Sequence, residues 1–255
     1  MALVFLAAMV LAQSSAKGEH FELNFPASIA REGELAAIEA RKFEGALAQL
    51  LPKGDAGFAR IRLVPGSHGP GATLSIGAHY DGFPKKRYAF DQALAQLMLR
   101  GWNFDGNDPI WGDGLEWYVA NQALRKTAYP DDAFYAVRDL ASVAKRSDPR
   151  LDQIDLAKAD GIDPAVRLGK GVWLLNQLQV RYPPSWLHIY LNFRKRATAE
   201  QRRDPSQIAL LASLAAGIDQ SKWFQRHGLS VKTIADPSLM PEHGAKIQVT
   251  PGVKP

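Results

Sequence analysis

The pattern of apolar residues changes once along the chain, and that change limits the folds open to it. Before Tyr88 the apolar positions alternate in short runs. Ala59, Ile61 and Leu63 are separated by Arg60 and Arg62, and Leu74, Ile76 and Ala78 alternate with small or polar residues. A period of two marks a strand with one buried face. Glu22 to Phe25 alternates in the same way and stops at Pro26, giving one more short strand. Between these strands, Ile29 to Leu51 sets Leu35, Ile38, Phe43, Leu47 and Leu50 broadly on one helical face, closed by Pro52 and Gly54. From Tyr88 onward the period is helical, and helices are expected at 88–100, 113–126, 132–145, 169–181, 186–196 and 207–216. Strands first and helices after give an α+β fold: a small N-terminal mixed sheet with helices, then a mostly helical C-terminal lobe.

Composition narrows the chemistry. A chain of 255 residues, 46% hydrophobic and 22% charged, can bury a core unaided and is too apolar to stay disordered. The absence of cysteine removes disulfides, thiolate metal sites, iron–sulfur clusters and a cysteine nucleophile together. A net charge of +5 permits an anionic partner without naming one. Neither a phosphate-binding loop nor a Gly-x-Ser-x-Gly elbow is present. Asp105-Gly106-Asn107-Asp108 lacks the remaining ligands of a calcium loop and reads as a turn.

The first sixteen residues, MALVFLAAMVLAQSSA, hold an uncharged apolar run from Ala2 to Ala12. That run is shorter than the ~20 residues a membrane span needs. Ser14 and Ala16 are small residues at signal-peptidase spacing, so residues 1–16 are expected to be a secretory leader, although a basic start is missing. The mature chain would then be secreted or periplasmic, without an integral membrane segment. Residues 17–235 are expected to form one domain, with an α/β lobe over 17–110 and a helical lobe over 111–235. Prolines at 237, 241, 251 and 255 mark 236–255 as an extended tail.

Two stretches offer candidate site residues. His79, Tyr80 and Asp81 follow the second alternating run, and His79-x-Asp81 resembles the ligand strand of two-zinc aminopeptidases. Asp91 could stand for that family's bridging aspartate, but the chain has no Glu-Glu pair. The second stretch is the helix from Tyr88 to Arg100 followed by Trp111-Gly112-Asp113-Gly114-Leu115-Glu116-Trp117-Tyr118-Val119. This pairing resembles the gluzincin zinc metallopeptidases, of the basic-secretory-protein or enhancin-like kind. Lys170–Leu178 and Ala212–Gly228 resemble later helical segments of the same superfamily.

The resemblance implies a thermolysin-like arrangement, and it places Gln92-Ala93-Leu94-Ala95-Gln96 where His-Glu-x-x-His would hold zinc and its catalytic base. It also sets Asp113 where a third, glutamate ligand would stand, with His79, Tyr80 and Asp81 at the edge of a cleft between the lobes. None of the six histidines, at 20, 68, 79, 188, 227 and 243, falls in the site helix. Amides are poor zinc ligands and alanine is no base. The expected product is therefore a pseudopeptidase without zinc, binding a peptide or protein along its edge strand. Two alternatives stand beside it. One is an active zinc enzyme using His79, Asp81, Asp91 and Asp113. The other is a scaffold that meets an anionic surface through Lys85, Lys86, Arg87, Arg194, Lys195 and Arg196. Without interleaved aromatic residues, nucleic acid is not an expected partner.

Overall fold

Phe21, Leu23 and Phe25 point to one side of a strand and are buried, while Glu22 and Asn24 between them are half-buried. In the computed structural model, which describes residues 13–65, 73–76, 84–106, 108–158 and 161–233, these residues form β2 (Phe21–Pro26). Residues 73–76 and 84–86 are described by their backbone alone. The sheet has the order β1 (Gln13–Lys17), β2, β3 (Ala59–Pro65), β4 (Thr73–Ile76). β1 runs antiparallel to β2, whereas β2–β3 and β3–β4 are parallel, so the sheet is mixed. β3 buries Ala59, Ile61 and Leu63 and exposes Arg60 and Arg62, as its alternation requires. Four of the five β1 residues, Gln13–Ala16, belong to the expected leader. His79, Tyr80, Asp81 and the tail 236–255 lie outside the described residues.

Parallel neighbours need a long connection, and the 21-residue helix α1 (Ala30–Leu50) lies between β2 and β3. Its buried face differs from the expected one. Leu35 and Ile38 are exposed, and Ala36, Ala37 and Ala40 are buried beside Phe43, Leu47 and Leu50. Small residues let a helix lie close to the layer it covers, so alanine outcompetes larger side chains for that face.

The remaining helices are α2 (Pro84–Gly101), α3 (Gly114–Thr127), α4 (Pro130–Ser147), α5 (Pro164–Arg181), α6 (Trp186–Arg196), α7 (Ala199–Arg203), α8 (Pro205–Ala216) and α9 (Ser221–Arg226). α2, α4, α5 and α8 each begin at a proline, two to five residues before the apolar pattern starts. Proline suits the first helical position, where its missing N–H costs nothing. Lys85, Lys86 and Arg87 therefore sit in the first turn of α2 and not in a preceding loop. None of the described helices is long and apolar enough to cross a membrane.

The chain divides into two compact units, and the division is not at 110/111. The first comprises residues 1–107 and 113–139, the second 108–112 and 140–255, so the later boundary falls inside α4. In the first unit the sheet, α1, α2 and α3 share a core that includes Phe21, Phe43, Leu63, Leu94, Met98, Leu115 and Tyr118. In the second, the short segment Asp108–Gly112 is held by α6. Arg194 grips Asp108 through two hydrogen bonds, Nε–Oδ2 at 2.8 Å and Nη2–Oδ1 at 2.9 Å. Trp111 donates its indole N–H to Tyr190 Oη at 2.6 Å. Tyr190 in turn stacks on Trp186 with ring centroids 5.4 Å apart. The Trp111–Asp113 run thus straddles the two units, because its tryptophan is a core residue of the second.

Candidate functional site

Tyr88, Gln92, Gln96 and Arg100 recur every four residues along α2, which puts them on one helical face. All four engage α3. Tyr88 accepts a hydrogen bond from Asn121 Nδ2 at 2.8 Å. Gln92 donates to the carbonyl of Trp117 at 2.8 Å, and its own oxygen accepts from Tyr88 at 3.3 Å. Gln96 donates to Glu116 Oε1 at 3.1 Å. Arg100 donates through Nε to both Glu116 oxygens, at 2.9 and 3.0 Å, and its Nη2 lies 2.9 Å from Oε1. Asn121 also donates to the carbonyl of Ala133 at 3.0 Å, which ties the seam to the start of α4. The result is a polar seam between two helices of the first unit, running from Asn121 at one end to Glu116 at the other.

Burial sharpens the electrostatics. Glu116 is only 8% exposed, and its charge is matched by Arg100. The hydrogen bond from Arg100 to Glu116, together with the charges of Glu116 and Asp113, raises the guanidinium above the usual arginine value, so it stays protonated. Burial pushes the Tyr88 and Tyr118 hydroxyls well above the ordinary tyrosine range, and both stay neutral. Asp113 is exposed just before α3 and makes no capping hydrogen bond. Ala93 is half-buried and apolar.

These residues do not fit a catalytic zinc ion. The two carboxamides are weak ligands, both donate to α3, and the buried carboxylate beside Gln96 already carries a guanidinium. A dication brought there would meet that fixed positive charge at close range. Of the alternative ligands, His79 and Asp81 lie outside the described residues. Asp91 is fully buried and accepts a hydrogen bond from Tyr129. Asp91 raises the Tyr129 hydroxyl further than burial alone does. Among the described residues no group of three or more histidine, aspartate and glutamate side chains is placed to hold a metal ion.

No family model matches the sequence, and no curated protein matches it. Solved structures do. A native yeast LTA4 hydrolase shares 16% identity with a TM-score of 0.53, covering 88% of this chain and 40% of its own. A mutant two-domain M1 zinc metallopeptidase bound to L-tryptophan shares 12% with a TM-score of 0.55, covering 90% and 54%. A mutant M1 zinc metallopeptidase from Deinococcus radiodurans, bound to a Tyr-Ser-Ala substrate, shares 14% with a TM-score of 0.54, covering 89% and 54%. The fold is metallopeptidase-like. This chain spans about half or less of the length of each of these structures.

Within the metallopeptidase-like fold the structure brings Gln92 and Gln96 to α3, but their partners there are Trp117 and Glu116 and not Asp113. Glu116, Arg100, Tyr88 and Asn121 were missed as members of this group. The four-residue spacing of Tyr88, Gln92, Gln96 and Arg100 was the signal that could have found Tyr88 and Arg100; no linear pattern pointed to Glu116 or Asn121. Arg194 drops out of the expected basic patch, and the side chains of Lys85 and Lys86 lie outside the described residues. Arg194 is buried against Asp108, so it cannot face a polyanion. Arg87 pairs with the buried Glu39 at 2.5 Å. Lys195 and Arg196 are exposed at the end of α6, where cations complement the helix dipole.

Proposed function

We propose that this chain is a secreted, metallopeptidase-like protein that binds an extended peptide and does not cleave it. The observation that carries the reading is the commitment of Gln92 and Gln96 to α3, with Glu116 neutralised by Arg100. A hydrolytic site of this class needs imidazole ligands and a free carboxylate beside the activated water. The seam offers structural amides and a spent ion pair in their place. Among the described residues β4 is a terminal strand of the sheet, and a terminal strand is where an extended peptide adds by backbone hydrogen bonding. His79, Tyr80 and Asp81, which the resemblance sets at the edge of the cleft, follow β4 in the sequence and lie outside the described residues.

The test is to incubate the protein with a set of tripeptides, Tyr-Ser-Ala included, and to follow both peptide mass and backbone hydrogen exchange. Slowed exchange over residues 73–76 with every peptide intact is the expected outcome. Cleavage that stops on adding a chelator would restore the active-enzyme reading. Unchanged exchange would remove peptide binding at β4.

A further inference from the structure

Side chains alternate between the two faces of a strand, so residues paired across a sheet form rows on each face. Two rows on the outer face of this sheet cross from β1 through β2 to β3. Lys17, Glu22 and Arg60 make one, and Ser15, Asn24 and Arg62 make the other. The buried Phe21, Leu23 and Ile61 alternate with these residues and occupy the opposite face. Lys17, Ser15, Arg60 and Arg62 are all exposed.

The two rows differ in their balance of charge. In the first, Glu22 stands between two cations, with Lys17 Nζ 3.2 Å from one oxygen and Arg60 Nε 3.7 Å from the other. Arg60 also holds its guanidinium over the Phe58 ring, 5.6 Å from the centroid. In the second row an asparagine takes the register position that the glutamate has in the first. Among the described residues Arg62 forms no ion pair. A recess opens there, lined by Gln13, Asn24, Phe25, Pro26 and Arg62. Its side chains bring one guanidinium and two carboxamides, and no carboxylate.

We propose that this recess binds a carboxylate, with Arg62 as its cation and the amides of Asn24 and Gln13 as further donors. A guanidinium fork matches the two oxygens of a carboxylate in one plane, and a carboxamide N–H adds a bond that needs no second charge. One cation balances one negative charge, so a carboxylate suits the recess better than a phosphate carrying nearly two. The carboxylate belongs to an acidic side chain or to the end of a peptide chain. The site stands on β1, β2 and β3 and does not depend on whether a peptide adds at β4.

The full chain tests this by NMR titration at constant ionic strength, following the side-chain N–H signals of Arg62 and Asn24. The probes are N-acetylglutamate α-amide, N-acetylalanine, inorganic phosphate and the uncharged N-acetylalanine amide. Saturable shifts with one or both carboxylates are expected, and the tighter of the two identifies the source. Arg62→Gln is expected to weaken that binding about tenfold or more, and Arg60→Gln to leave it within about twofold. Asn24→Asp supplies the row with its own carboxylate, as Glu22 does for Arg60, and is expected to abolish binding. Urea melts of the three variants check that each is folded. Shifts that do not saturate, phosphate binding tighter than either carboxylate, or equal losses in Arg60→Gln and Arg62→Gln would each overturn the inference. Carboxylate binding retained in folded Asn24→Asp would overturn it as well.

Discussion

Lys170 and Asp148 are both shielded completely from solvent, and their ammonium and carboxylate meet at 2.9 Å. Asp148 also accepts from the backbone N–H groups of Asp152, Gln153 and Ile154, so one carboxylate organises the turn after α4. Burial alone would raise this carboxyl. The bonds from Ile154 N, Lys170 and Gln153 N outweigh it and hold Asp148 below the ordinary aspartate value. Removing one member of a buried pair strands the other, so Lys170→Met is expected to cost about 3–5 kcal/mol in urea unfolding. A loss under about 1 kcal/mol, the surface-pair range, would contradict the buried pairing. Because the folded pKa is depressed, the contribution of Asp148 is complete above its unfolded value of about 4 and fades as pH falls through the lower folded value.

His227 has the opposite chemistry. Its ring lies edge-on to Trp173 and Trp223, with centroids 5.0 and 4.7 Å away. Burial, then the nearby Lys170 charge, holds it below the usual histidine value. The unfolded chain therefore takes up this proton first, and stability is expected to fall as pH drops from about 6.5 toward the folded value. His227→Phe keeps an aromatic ring against both tryptophans and should flatten that part of the pH–stability curve, measured by thermal melts between pH 7 and 5. An unchanged slope would assign it to other groups.

At the scale of the element, the α2–α3 seam decides how the candidate site behaves. Gln92→Leu leaves the hydroxyl of Tyr88 without its acceptor and removes a donor to Trp117 O, and is expected to destabilise by about 1–3 kcal/mol in denaturant melts. A neutral outcome would mean that Gln92 is free to act as a ligand. In α5, two glycines mark close approaches: a Cβ at Gly169 would lie 2.2 Å from Leu140 O, and one at Gly171 would lie 2.5 Å from Trp111 O. Gly171→Ala is expected to cost about 1–3 kcal/mol despite its better helix propensity, because the neighbour is backbone and cannot swing aside.

The elements were legible wherever one face is apolar throughout, as in β3 and α6. They were less legible where a proline starts a helix before its apolar pattern begins. The buried face of α1 was misread because leucine and isoleucine outweigh alanine in any reading of apolar period. The seam was half legible. Gln92 and Gln96 were singled out by the resemblance, but Glu116 depends on how α3 meets α2, which no linear pattern states. Arg194 looked like surface charge because its partner Asp108 lies 86 residues away.

At the scale of the whole molecule, the chain carries a metallopeptidase-like fold, and Gln92 and Gln96, two positions the resemblance sets at the zinc, are hydrogen-bonded to α3. The two-unit division was hidden from the sequence because its second unit includes five residues, 108–112, taken from between α2 and α3, with no flexible linker to announce them. The most direct measurement is the zinc retained by the purified protein after dialysis, first against excess zinc and then against a weak chelator. Far less than one zinc per chain is expected, because Gln92, Gln96 and the Arg100–Glu116 pair offer no competent ligand set. Retention of one zinc per chain, lost in the Glu116→Gln or Asp113→Asn variant, would contradict it.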